Sequence, residues 1–242
     1  MRTANPALNE NTFEGLRVRG DAAMTINGTV TKSAILLALL VGAAGYTWDL
    51  LKTGGNVGPW VLGGALGGFV VAMVTVFKKE WAPVTAPLYA LLEGLFLGAV
   101  SAIFAARFEG IVFQAVTLTF GVFFSLLIAY QTRLIKATEN FKLGVFAATG
   151  GIFLIYLVGL VMSFFGTRIP YIHESGWIGI GFSLFVVVIA ALNLVLDFDF
   201  IEQGAERRAP KYMEWYAAFG LLVTLVWLYI EILRLLSKLR NR

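Results

Sequence analysis

Acidic side chains set inside long apolar stretches are the residues of this sequence that could do chemistry. Asp197 closes one such stretch and Glu231 lies in the next, within AALNLVLDFDFIEQGAERRAPKYMEWYAAFGLLVTLVWLYIEILRLL from Ala190 to Leu236; Glu93 lies in an earlier one. A carboxylate at or inside the hydrocarbon boundary is unfavourable to keep there, so it marks an ion pathway, a proton relay or a polar contact between helices. Hard cations prefer carboxylate and carbonyl oxygens, and a few such groups suit passage without trapping. The expected ligand is a permeant hard cation, bound in transit. No resident cofactor or metal and no catalytic residue is expected.

Spacing sorts these groups. Asp197 follows Asn193 by four and Ala190 by seven, which puts the three on one helical face, with Ile201 continuing it. If the helix ends near Leu196 the aspartate is a solvated helix end; if it runs on to Glu202, the aspartate lies more than a turn inside. Asp199 points away from that face and is expected to be solvated. Glu93 shares a face with Tyr89, Leu97 and Ser101, and it reads either as a glutamate hydrogen-bonded to a neighbouring helix or as part of a transport path. Gly220, Thr224, Trp227 and Glu231 make one stripe, and Arg234 follows Glu231 by three, so a local ion pair is the plain explanation of both charges.

Other chemistries are excluded by what the chain lacks. Among 242 residues there is no cysteine, which removes disulfides, thiolate chemistry and zinc held by cysteine. The single histidine, His173, lies in a Pro/Tyr/His/Glu loop and reads as solvated. HExxH, P-loop and GxSxG patterns are missing, so no enzyme is expected. A net charge of +4 with basic residues beside apolar spans fits membrane orientation and no nucleic-acid partner.

The elements that must position the acids are membrane helices. Apolar residues make up 58% of the chain, charged residues 14%, and mean hydropathy is +0.79, the balance of a polytopic membrane protein embedded in a lipid bilayer. Residues 1–32 read as a polar, mostly irregular arm without the apolar core of a signal peptide, expected to be retained. Seven spans follow in a membrane domain over residues 33–242: Ser33 to Leu51, Gly58 to Phe77, Thr85 to Ala106, Gly110 to Tyr130, Leu143 to Gly166, Gly176 to Leu196 and Trp215 to Leu236. Each is near the ~20 residues that cross ~30 Å of hydrocarbon, and each must be helical because lipid satisfies no backbone group. Short connections make antiparallel neighbours. Pro83 and Pro87 flank the start of the third span, where a missing amide donor matters little. Gly63, Gly64, Gly67 and Gly68 form overlapping small-xxx-small patterns that suit close helix packing, within the monomer first and at a dimer interface as the alternative, and Gly150 and Gly151 are read the same way.

Lys and Arg orient the spans. Arg2, Arg17, Arg19, Lys32, Lys78, Lys79, Arg133, Lys136, Lys142, Arg207, Arg208 and Lys211 fall on the side of the N-terminus, against Lys52, Arg107 and Arg168 in the opposite loops. The N-terminus is therefore expected in the cytoplasm. The basic tail, Arg234, Lys238, Arg240 and Arg242, runs against this count and leaves open whether the last span crosses fully. Lys78, Lys79 and Arg133 fall on the same side as Asp197 and are candidate charge partners for it.

The segment APVTAPLYALLEGLFLGAVS from Ala82 to Ser101, the LDF ending the sixth span and EWYAAFGLLVTLVWLYIEILRLL from Glu214 resemble the Bax inhibitor-1/YccA family, in particular its bacterial members. The resemblance covers about Lys32 to Leu236. It implies an all-α fold of seven transmembrane helices with the last helix central in the bundle, and a pH-sensitive calcium leak. It also implies an aspartate near the end of the sixth helix, in a YDTQ-like context, and a second in an LYLD context on the seventh. Asp197 matches the first, with Phe198 and Asp199 in place of Thr-Gln; the second position falls on Thr224. Two close carboxylates share a proton and part when both ionise. A hydroxyl at Thr224 leaves one charge and can donate to an ionised Asp197, so weaker pH gating is expected.

Two functions stay open. The first is a pH-influenced calcium or cation leak with Asp197, Thr224, Glu93 and Glu231 as ion-binding or gating residues. The second is a regulator that binds other membrane proteins, such as a membrane protease, without transport, with the N-terminal arm as the contact. A proton-coupled transporter would call for an internal repeat, and none is found.

Overall fold

Capping residues decide where the helices begin. The computed structural model describes residues 23–167 and 176–241, and in these the chain forms α1 (Ile26–Lys52), α2 (Gly58–Phe77), α3 (Ala82–Arg107, after a 3₁₀ turn at Lys79–Trp81), α4 (Ile111–Gln131), α5 (Glu139–Phe164), α6 (Trp177–Glu206) and α7 (Met213–Arg240). All seven are long and apolar enough to cross a membrane, and no strand occurs among the described residues beyond an isolated bridge between Ala23 and Pro210. The protein is an all-α polytopic membrane protein. α2 matches its expected span to the residue. α1 starts earlier than Ser33, because Thr25 in extended backbone accepts from the Gly28 amide and caps it. Residues 26–32 are thus helical and not part of an irregular arm; residues 1–22 and His173 lie outside the described residues. Thr138 likewise caps α5 by accepting from the Phe141 amide, which moves its start back from Leu143. Because α3 begins at Ala82, Pro87 falls inside the helix.

Burial separates the helices. In the most apolar eighteen-residue stretch of α7, 56% of the residues are buried, against 44% in α3 and α6 and 11–17% in the other four. Helix α7 is the most buried of the seven. The others present side chains such as Leu62, Phe113, Phe153 and Phe164 outward, the surface a bilayer covers.

Contacts divide the chain into two units. One comprises residues 110–198 and 224–241, with α4, α5, most of α6 and the later part of α7; the other comprises residues 23–109 and 199–223. In the second unit α3 packs against both α1 and α2. Glycine makes both approaches possible. A Cβ on Gly64 would strike the Leu92 carbonyl and Phe96 of α3, and a Cβ on Gly94 or Gly98 would strike the Leu40 or Ala44 carbonyl of α1. Gly64 therefore packs inside the monomer, as expected. Gly67 makes ordinary contact with Leu92, and Gly63 faces open space. Gly150 and Gly151 also face open space, so the expectation of tight packing there is corrected.

The expected outcome of Gly98→Ala is a loss of about 1–3 kcal/mol, since an added methyl meets main-chain atoms that cannot turn aside. Gly63→Ala is expected to be neutral or slightly stabilising. Thermal unfolding in detergent micelles compares the two.

Candidate functional site

The first unit, residues 110–198 and 224–241, contains the acids singled out on α6 and α7. Ala190, Asn193 and Asp197 share one buried face of α6, as their spacing required. Asn193 donates from Nδ2 to the Thr149 hydroxyl of α5 at 3.0 Å and to the Ile189 carbonyl at 2.8 Å. Asp197 is 1% exposed. Helix α6 runs on to Glu206, so the aspartate lies well inside it, about 13 Å from the end at ~1.5 Å per residue, and the solvated-end reading is removed. Neither carboxyl oxygen of Asp197 has a hydrogen bond of ordinary geometry among the described residues. The side chain that faces it is the Thr224 hydroxyl of α7, in a looser contact. Thr224 is itself buried.

Two turns along α7, Glu231 is also 1% exposed, but it is compensated. Its Oε1 accepts from the Tyr156 hydroxyl of α5 at 3.0 Å and from Arg234 Nη1 at 3.0 Å. The Arg234 guanidinium lies over the Tyr156 ring, 5.5 Å from its centre. The local ion pair read from the i, i+3 spacing is therefore present, with a tyrosine added. Further on, Lys238 Nζ donates to the Gly179 carbonyl at 3.0 Å and the Ser183 hydroxyl at 2.8 Å near the start of α6. Arg240 reaches Gln114 near the start of α4 at 2.9 Å. These bonds put the end of α7 where α4 and α6 begin, so α7 runs the full length of this unit. Three basic tail residues are held by helices here, which explains why the tail departs from the loop charge count.

The suggested charge partners are placed elsewhere. Lys79 lies over the Tyr216 ring at 5.9 Å, Arg133 over the Tyr130 ring at 5.8 Å in a left-handed backbone conformation, and Lys78 closes α2. Among the described residues no basic side chain pairs with Asp197. Asp199 is not freely solvated: it accepts from Gln203 Nε2 at 2.5 Å, one turn on, which helps α6 continue. In the second unit Glu93 is partly buried, with a carboxylate oxygen against Gly68 of α2.

Sequence reasoning missed Glu214. It is completely buried at the start of α7, and its carboxylate accepts from the Thr25 amide at 2.9 Å, the Thr25 hydroxyl at 2.8 Å, Lys32 at 2.5 Å and Lys211 at 2.9 Å. Gly28 leaves the room it occupies, because a Cβ there would overlap the carboxylate. With Met24 donating its amide to the Ala209 carbonyl at 2.6 Å, this clamp ties the start of α1 to the turn before α7. Tyr156 was missed as well; a tyrosine in the middle of an apolar span requires a partner for its hydroxyl, and that was the available signal.

Among the described residues no group of three or more His, Cys, Asp or Glu could hold a metal ion. The arrangement can instead offer successive single acids to an ion or a proton. A family model described as Bax inhibitor 1 like matches residues 5–241, nearly the whole chain. The chain belongs to the Bax inhibitor 1 like family. No curated protein and no solved structure matches it. This Bax inhibitor-like protein is a multi-pass membrane protein, and among the described residues Asp197 is a buried acid without a cation while Glu231 and Glu214 are buried acids with cations.

Removing the charge of the clamp tests its weight. Glu214→Gln is expected to lower stability by roughly 2–3 kcal/mol, the range for hydrogen bonds to charged groups. Lys211→Ala removes a half-exposed partner and is expected to lower it by less than about 1 kcal/mol. Unfolding of the purified protein in detergent measures both.

Proposed function

We propose that this protein is a cation leak of the cell (inner) membrane, with calcium the favoured ion, the N-terminus in the cytoplasm and no catalytic activity. One observation carries the reading: Asp197 is buried on α6 with no cation beside it among the described residues, and it faces the Thr224 hydroxyl. An ionised carboxylate taken out of water without a partner is unfavourable by several kcal/mol. A proton relieves that charge, and so does a cation arriving from either side. Oxygen ligands of this kind suit a hard cation, and a single carboxylate with a hydroxyl binds it weakly enough to let it leave.

The polar groups of the first unit continue from this point. Thr224, Trp227, Glu231, Arg234 and Lys238 follow one another at helical spacing on α7, and the Asn193–Thr149 bond lies one turn from Asp197 on α6. The proposed sequence of events is entry of a cation to Asp197, loss of its loose contact with Thr224, and exit past Glu231. Glu93, held in the second unit against Gly68, is a subsidiary acid in this scheme.

With a hydroxyl opposite Asp197, only one of the two positions titrates, so the leak is expected to respond less to pH than a site of two carboxylates would. Thr224→Asp gives the site a second carboxylate, and two close acids then share a proton on the acid side and repel on the alkaline side. Calcium uptake into indicator-loaded liposomes is expected to be lower at acid than at alkaline pH for both proteins, by a smaller factor for the wild type than for Thr224→Asp. Identical pH profiles for the two proteins would contradict the proposal. Absence of calcium uptake by the wild type at every pH, together with loss of a captured membrane-protein partner on deleting residues 1–22, would favour the regulator instead.

A further inference from the structure

Helix ends gather at one edge of the second unit, residues 23–109 and 199–223. There α1, α3 and α7 begin, α2 and α6 end, and two turns lie side by side. Lys79 of the α2–α3 turn rests over the Tyr216 ring of α7 at 5.9 Å, and Glu80 lies within electrostatic reach of Tyr212. Both turns are basic. Lys78 and Lys79 on one, with Arg207, Arg208 and Lys211 on the other, outnumber the exposed acids Glu80 and Glu206. Glu214 is taken by Lys32 and Lys211, and Asp199 and Glu202, further back on α6, have partners of their own.

Two of these cations are free. Lys78 and Arg208 are exposed, and the side chain of neither makes a hydrogen bond or ion pair with any described residue. Arg208 also holds a left-handed backbone, with φ of 53°, where glycine sits without strain and an arginine does not. Arg133 is the other non-glycine residue of this kind among those described, and its guanidinium rests on Tyr130. The Arg208 guanidinium has no such support, so its charge is left for a ligand from outside the chain. Beside the cations the surface turns apolar. Trp81, Val84, Leu88 and Leu91 follow one another at helical spacing and share one exposed face of α3, and Phe77 is exposed at the end of α2. A ligand that fits both surfaces carries negative charge at one end and hydrocarbon at the other.

We propose that the two turns form a headgroup site for an anionic phospholipid, with its phosphate held between Lys78 and Arg208 and an acyl chain lying along Trp81, Val84, Leu88 and Leu91. Arginine meets a phosphate through parallel N–H donors, and lysine meets it as a point charge. Trp81 places its ring at headgroup level, where an indole is favoured. A zwitterionic lipid brings a cation of its own to this edge and is disfavoured by the same charges. The site does not depend on the leak reading, and either stands without the other.

A ligand that binds the folded protein raises its melting temperature. The full chain in a neutral detergent is titrated with phosphatidylglycerol, phosphatidylcholine or glycerol phosphate. Phosphatidylglycerol is expected to raise the melting temperature, and the other two at equal concentration to raise it much less. Lys78→Gln and Arg208→Gly are each expected to increase the half-saturating phosphatidylglycerol concentration about fivefold, the scale of one cation at a lipid surface. Without lipid, Arg208→Gly is expected to melt at least as high as wild type, because glycine relieves the backbone. An Arg208→Gly protein that melts lower without lipid and keeps the full lipid response would show a structural arginine and overturn its role. Equal responses to phosphatidylglycerol and phosphatidylcholine would reduce the site to bulk solvation, and an equal response to glycerol phosphate would make the ligand a soluble phosphate; either overturns the proposal. So does a phosphatidylglycerol response that persists in Lys78→Gln/Arg208→Gly, or in both single variants should the double one not fold.

Discussion

A carboxylate enclosed by helices with no cation beside it is the constraint on which the account of this protein depends. Charge transferred from water into a low-dielectric interior is tolerated when a counter-ion or several donors come with it. Among the described residues Asp197 has neither, only the loose approach of the Thr224 hydroxyl. The surrounding helices supply the enclosure: buried Leu194, Leu196 and Phe198 on α6 flank it, with Val145 of α5 against Leu196 and with Tyr130 and Phe123 of α4 against Phe198. Packing here is strong enough to hold an unfavourable group in place.

The chain can compensate a buried acid where it needs a fixed joint, and this makes Asp197 informative. Glu214 receives two lysines and both donors of Thr25. Glu231 receives an arginine and a tyrosine. Those two acids join helices: one fastens the start of α1 to the start of α7, the other fastens α5 to α7. An acid left without such partners one turn from the Asn193–Thr149 bond is poorly explained as a fastener. Under the proposed leak, its use lies in the ions or protons that can reach it.

Much of the scaffold was legible because a membrane imposes its own arithmetic. Seven apolar stretches of spanning length fixed seven helices, and the period of 3.6 residues placed Asn193 with Asp197 and Glu231 with Arg234 without any tertiary information. Helix ends were less legible. Thr25 and Thr138 extend α1 and α5 into polar sequence that hydropathy assigns to loops, and the Asp199–Gln203 bond belongs to a stretch of α6 beyond its apolar part. Long-range pairing was not legible. Thr25 and Glu214 are 189 residues apart, and Tyr156 and Glu231 are 75 apart; neither partner has a spacing that announces the other. The same limit produced the mistaken partners of Asp197, since Lys79 and Arg133 share its side of the membrane in sequence yet rest on the rings of Tyr216 and Tyr130.

If burial without a counter-ion is what makes Asp197 the working group, replacing its ionisable oxygen by an amide of the same shape must alter transport and not folding. Calcium flux in proteoliposomes reconstituted with wild type and with Asp197→Asn is the direct comparison, with melting temperatures of both taken in detergent. The account predicts equal or higher stability for the variant and a calcium flux reduced by about tenfold or more, the scale of one lost favourable charge interaction near 1.4 kcal/mol. A variant that conducts calcium as the wild type does would contradict it.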